Sequence, residues 1–194
     1  MMLMENIQSE VDTDMSPSTR EHRFYVVSPK KFTILFLSTM GLYGMYWVYI
    51  NWSLYKKSTG SDVWPVARGF FDIFFVHSLC KKIGQLDFAT TKENSVMEWN
   101  AIKYVLLVIS CRIADKLSEN EIGMPYTFFY TLLAIPLMYR ALYDIQIYVN
   151  KMMKDEAGTT NASLTWANYL WMILGVVFWG LAIFVSYAII LGKI

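Results

Sequence analysis

The chain has 194 residues, of which 55% are apolar, 16% aromatic and only 17% charged. An ordinary soluble domain is roughly 45–50% apolar and about 25% charged, so this balance points to a lipid environment. Seventeen Lys and Arg against 16 Asp and Glu leave a formal net charge of +1, which gives no overall field to draw in nucleic acid.

Residues 1–22 hold Glu5, Glu10, Asp12, Asp14 and Glu21 among apolar residues without a period. That composition predicts a disordered acidic tail. No basic start leads into an apolar run, so a cleaved signal peptide is not expected. Residues 23–194 read as a helical membrane domain.

Residues 32–50, FTILFLSTMGLYGMYWVYI, carry no charge and are bracketed by Lys30, Lys31 and by Lys56, Lys57. Nineteen helical residues reach about 28 Å, close to the hydrocarbon thickness of a bilayer. The expectation is a first transmembrane helix. Gly41 and Gly44 offer a notch for close helix packing. Tyr43, Tyr46 and Trp47 read as an interfacial collar, or as an aromatic box for a ligand.

Residues 63–80, VWPVARGFFDIFFVHSLC, contain nine strongly apolar residues but also Arg68, Asp72 and His77. The apolar residues contribute roughly −4 kcal/mol to insertion, and a central Arg and Asp cost about +2.5 to +3.5 each. An interfacial or re-entrant helix starting at Trp64 and Pro65 is favoured, with a fifth span as the alternative. Further spans are expected over 99–113, with Lys103 and Arg112 snorkelling, over 125–143, and over 166–191. The last is 26 residues without a charge, and Gly175 and Gly180 give it small packing faces. The fold class is therefore an all-α integral membrane protein with four transmembrane helices plus one interfacial or re-entrant helix.

Charge sets an expected topology. The 117–124 loop has two glutamates and no Lys or Arg, so it faces out; the segment with Lys151 and Lys154 faces in. Ionisable residues in or near membrane segments are functional suspects. Here they are Arg68, Asp72, His77, Arg140 and Asp144. Arg68 with Asp72, and Arg140 with Asp144, are each spaced i, i+4 and would pair on one helix face. RGFFDI and RALYDI echo one another, the form a short internal repeat would take. His77 lies about 140° around a helix from Asp72, which separates the two.

Thr39, Gly41, Tyr43, Tyr46, Trp47, Tyr49, Asn51 and Trp52 form a TxGxYxxYWxYxNW pattern. With Trp64-Pro65-Val66-Ala67-Arg68-Gly69 and Leu164-Thr165-Trp166-Ala167-Asn168, it resembles a group of small bacterial inner-membrane proteins carrying a domain of unknown function. The resemblance covers about 24–191. It implies a multi-pass protein of the bacterial inner (cytoplasmic) membrane and brings no catalytic residues.

No HExxH, GxSxG or P-loop is present, and the histidines are His22 and His77 alone. Cys80 and Cys111 sit in no ligand cluster. No catalytic residue, metal site or cofactor is expected, and an enzyme is the least favoured class. The favoured reading is a non-enzymatic polytopic membrane protein acting through lipid or a membrane protein partner, without nucleic acid. A small transporter or channel with a polar path around Arg68, Asp72 and Arg140 is the alternative.

Overall fold

The computed structural model describes residues 23–86 and 90–192, so the tail expected over 1–22 lies outside the described residues. Among the described residues the chain is all-helical, with no strand. The helices are α1 (Pro29–Ser38), α2 (Tyr43–Thr59), α3 (Pro65–Phe70), α4 (Asp72–Gly84), α5 (Thr91–Glu119), α6 (Tyr126–Met152) and α7 (Trp166–Ile190).

The uncharged stretch 32–50 is not one helix. Met40 and Gly41 take positive φ angles of 53° and 90°. Gly41 N–H then reaches back to Phe36 O at 2.9 Å, and Met40 N–H to Leu37 O at 3.3 Å. This is the double hydrogen bond of a Schellman stop. Thr39 serves both sides of the break. Its Oγ1 donates to Leu35 O at 2.7 Å and accepts from Tyr43 N–H at 3.1 Å. One hydroxyl therefore closes α1 and opens α2. Lys31, expected to flank a span in water, is only 3% exposed. Its ammonium donates to Asn161 Oδ1 at 2.6 Å and Ser163 O at 2.8 Å.

The 63–80 helix is also two. The backbone leaves the helical region at Phe71 (φ −100°, ψ 44°), between α3 and α4. Gly69 is the buried residue of α3. A Cβ there would run into the Cβ of Tyr49, so α3 lies on α2 at glycine distance.

The expected 99–113 segment belongs to the 29-residue α5, about 43 Å long at the α-helical rise. A capping box starts it early: Thr90 Oγ1 accepts from Glu93 N–H, and Glu93 Oε2 accepts from Thr90 N–H. The 125–143 segment runs on as α6 to Met152. Glu93 and Lys151 form an ion pair at 2.6 Å between the start of α5 and the end of α6. The two helices pack along each other as an antiparallel hairpin with this pair at one end, and the hydrogen bond from Lys151 keeps the Glu93 carboxyl below the usual carboxylate range.

Among the described residues, α7 is the one helix long and apolar enough to cross a membrane by length and composition. Its only buried residue is Gly175. A Cβ on Gly175 would collide with the carbonyl oxygen of Ser38. Trp179 Nε1–H donates to Leu37 O at 2.8 Å. Thus α7 docks on the last carbonyls of α1, at the break. Gly180 meets open space instead, which corrects its reading as a packing glycine within this chain.

Gly175→Leu should therefore force α7 off α1 and lower the detergent melting temperature, whereas Gly180→Leu should leave it unchanged. Equal melting of both variants would refute the Gly175 contact.

Candidate functional site

After a bend at Phe24, residues 25–28 form a strap through the core, with Phe24 and Val27 fully buried. Extended backbone with no neighbouring strand leaves its N–H and C=O groups unpaired unless side chains meet them. Here four amides do so. Asn51 Oδ1 accepts from Tyr25 N–H at 3.0 Å, and Gln146 Nε2–H donates to Tyr25 O at 2.9 Å. Asn161 Nδ2–H donates to Val26 O at 2.9 Å. Asn150 holds both groups of Val27, accepting from N–H at 3.3 Å and donating to O at 2.9 Å. Gln146 also donates to Asn150 Oδ1 at 2.6 Å and accepts from the indole N–H of Trp47. Gly158, at φ 64°, comes so near the Val27 and Ser28 backbone that no Cβ fits. The carboxylate of Asp155 shapes that loop by accepting from the backbone N–H groups of Thr159 and Thr160, each at 2.9 Å. These bonds pull the Asp155 carboxyl down to about 2.

Asp72 does not pair with Arg68. It is the first residue of α4, and the i, i+4 rule needs a helix that runs through both. Its Oδ2 accepts from the Tyr104 hydroxyl of α5 at 2.6 Å, and its Oδ1 from Ile73 N–H at 2.8 Å. Gly44 makes room for that hydroxyl: a Cβ would lie 2.9 Å from Tyr104 Oη. The Arg68 guanidinium instead lies over the Trp52 ring at 3.9 Å and near the Phe75 ring at 5.1 Å. His77 Nδ1 is buried without a hydrogen-bond partner among the described residues. Arg140 and Asp144, within the unbroken α6, do form their ion pair, at 3.0 Å with Arg140 well exposed. The two RxxxD echoes thus differ in contact, because one spans a helix break.

The five polar candidates do not gather into one centre. Among them the ion pair of Arg140 with Asp144 is the one direct bond. Gly41 serves the turn after α1, while Gly44 and Gly175 sit at helix contacts. Of the aromatic box, Tyr43 and Tyr46 line a cleft of about 130 Å3 with Thr39, Asn168 and Trp171. Trp47 is buried away from it on Gln146. No cluster of three or more potential metal ligands occurs among the described residues.

Sequence reasoning passed over Gln146, Asn150 and Asn161 and held Asn51 only as one letter of the TxGxYxxYWxYxNW pattern. The visible signal was weak: uncharged amides inside otherwise apolar or aromatic stretches, at Asn51 and at Gln146 with Asn150 one turn apart. Comparison of the chain with protein-family models, with curated proteins and with solved structures finds no match.

Two outcomes follow from this geometry. Tyr104→Phe should cost about 1.5–3 kcal/mol, because it removes a bond to a buried carboxylate. In a double-mutant cycle, Tyr104→Phe and Asp72→Asn should be non-additive, whereas Arg68→Ala and Asp72→Ala should add; coupling in the second cycle would refute the assignment. Asn150→Ala should cost about 1–3 kcal/mol for each Val27 group it strands. A change in melting equivalent to under about 0.5 kcal/mol would show that the strap does not depend on it.

Proposed function

We propose that this chain is a non-enzymatic polytopic protein of a bacterial inner membrane that acts through contacts with lipid and with a membrane protein partner. The observation that carries the reading is α7. It is 25 residues of apolar helix with one buried residue, and Ile173, Val176, Ile183 and Phe184 are all more than 60% exposed. Soluble monomers rarely expose so many apolar side chains along one helix, and a bilayer would cover them. The paired helices α5 and α6 add Leu106, Ile113, Leu133 and Leu137 to the exposed apolar surface.

In this reading α5, α6 and α7 cross the membrane, and α1 and α2 form a re-entrant pair in place of the expected first span, since Asn51 of α2 bonds Tyr25 ahead of α1 and Phe24 stacks on Tyr55 at 6.1 Å. Helices α3 and α4 lie at the interface. A broken segment is tolerated at membrane depth where protein meets its backbone groups. Thr39 and Trp179 supply those bonds here. The resemblance of the TxGxYxxYWxYxNW stretch supports the bacterial inner membrane as the location. The alternative of a transport path draws no support from Arg68, Asp72 and Arg140, which engage separate neighbours.

The chain expressed in a bacterial host should stay with the membrane pellet through alkaline carbonate extraction. Reporter fusions at residue 121 should read outside and at residue 155 inside. Release into the supernatant would overturn the membrane reading, and a cytoplasmic reporter at 121 would overturn the topology. A partner co-purified in mild detergent supports action by contact; ion or solute flux in proteoliposomes would displace it in favour of transport.

A further inference from the structure

The α3 and α4 corner presents two features side by side. The first is an apolar face. Trp64, Phe70 and Phe74 are 71%, 67% and 70% exposed, and Val66 and Phe71 are exposed beside them. The face cannot turn inward, because Gly69 already fixes α3 against Tyr49 of α2. The second feature is a set of cations. Between residues 51 and 86 the bases are Lys56, Lys57, Arg68, Lys81 and Lys82, and the acids are Asp62 and Asp72. Asp72 is buried on Tyr104 and so neutralises none of them at the surface. Glu98 of the packed helix α5 makes no ion pair with them.

Arg68 is the unusual member. Its planar guanidinium is stacked on Trp52 and close to Phe75, which fixes its plane. Yet the guanidinium itself makes no hydrogen bond and no ion pair with any described residue. Its fork of N–H donors is half-buried, held in plane by the rings and without a protein partner among the described residues, an arrangement that suits a phosphate. Trp52 touches Tyr55 ring to ring at 5.5 Å, and the Lys82 ammonium lies 5.9 Å over Tyr55. Two cations therefore lie on two adjoining rings. Lys56 donates to Val63 O at 2.9 Å, next to Trp64.

We propose that Arg68 and Lys82 bind the phosphate of an anionic phospholipid headgroup, while Trp64, Phe70 and Phe74 sit in the adjoining acyl boundary. The proposal rests on the membrane reading above. Basic residues over an aromatic face are the arrangement that holds a helix in an anionic interface. Lys81 and Lys82 end α4, so the charge sits at one rim of the apolar face.

The test uses the full chain purified in non-ionic detergent. Short-chain phosphatidylglycerol, short-chain phosphatidylcholine and inorganic phosphate are added in separate arms. Thermal melting and retained lipid, by native mass spectrometry, are read in each. Phosphatidylglycerol should raise the melting temperature by a few degrees and stay bound, with phosphatidylcholine and phosphate giving no such shift. Lys82→Gln should reduce the shift and Arg68→Gln should abolish it. Because Arg68→Gln also loses its stacking, its shift is compared with its own lipid-free melting. Equal shifts from both lipids, an equal shift from inorganic phosphate, or a shift retained in both variants would overturn the site. Failure here with carbonate-resistant membrane retention intact removes the headgroup site and leaves the membrane reading standing.

Discussion

A buried peptide group must be hydrogen-bonded, and the bonds of residues 25–27 come from side chains, with neither a helix nor a sheet to make them. That constraint organises the molecule. The strap lies between α2, which sends Asn51, and α6, which sends Gln146 and Asn150. From the far side the 155–163 loop sends Asn161, and Gly158 lets that loop come close. An amide side chain carries one donor and one acceptor group, so it can copy the pairing of a neighbouring strand. Asn150 does this completely with Val27. The strap is in this sense a one-stranded sheet edged by side chains, and three separate elements are registered on it.

The break at Thr39 to Gly41 is the second constraint, and it explains the aromatic pattern that follows it. Once α1 stops, α2 restarts with its own rotation, and the spacing of Tyr43, Trp47 and Asn51 puts all three on one buried face. Trp47 then meets Gln146, Asn51 meets the strap, and Tyr43 meets Phe32 edge-on. The TxGxYxxYWxYxNW pattern is thus a helix stop, a helix start and one inward face, written in a single run. Gly44, on that face, leaves the space in which the hydroxyl of Tyr104 sits, and that hydroxyl in turn satisfies Asp72.

What the sequence made legible was helical content and apolar runs: α5, α6 and α7 lie where hydropathy puts them, with α5 and α6 extended by capping and by polar turns. What it hid were breaks inside apolar runs. Met40 in a left-handed conformation is a tertiary outcome, since methionine has no local preference for it. Gly41 was visible, but a glycine in an apolar run reads equally as a packing notch. Arg68 and Asp72 had the spacing of a pair, and a kink at Phe71 removed the helix on which that spacing depends. The amide clamp was hidden for a different reason. Three of its four amides bond residues 121 to 135 positions away, Asn51 alone reaching only 26, and the partner on the strap is backbone, which has no sequence signature. The echo of RGFFDI and RALYDI was a true similarity of letters with different surroundings.

The docking of α7 follows from the same break. A helix that ends within the protein leaves its last carbonyls without intrahelical partners. The Schellman bonds take Phe36 O and one lone pair of Leu37 O. Trp179 donates a second bond to Leu37 O, and Gly175 lies directly against Ser38 O. Lipid offers a carbonyl no hydrogen bond, so a stop placed in a membrane segment needs a protein cover of this kind. The cover is narrow: one glycine and one indole hold a 25-residue helix whose other faces remain open. Met172 and Trp179 add partly buried apolar contacts with the core, and most of the helix beyond them stays exposed. On the membrane reading proposed above, lipid covers the apolar surface of α7 that the rest of the chain leaves exposed.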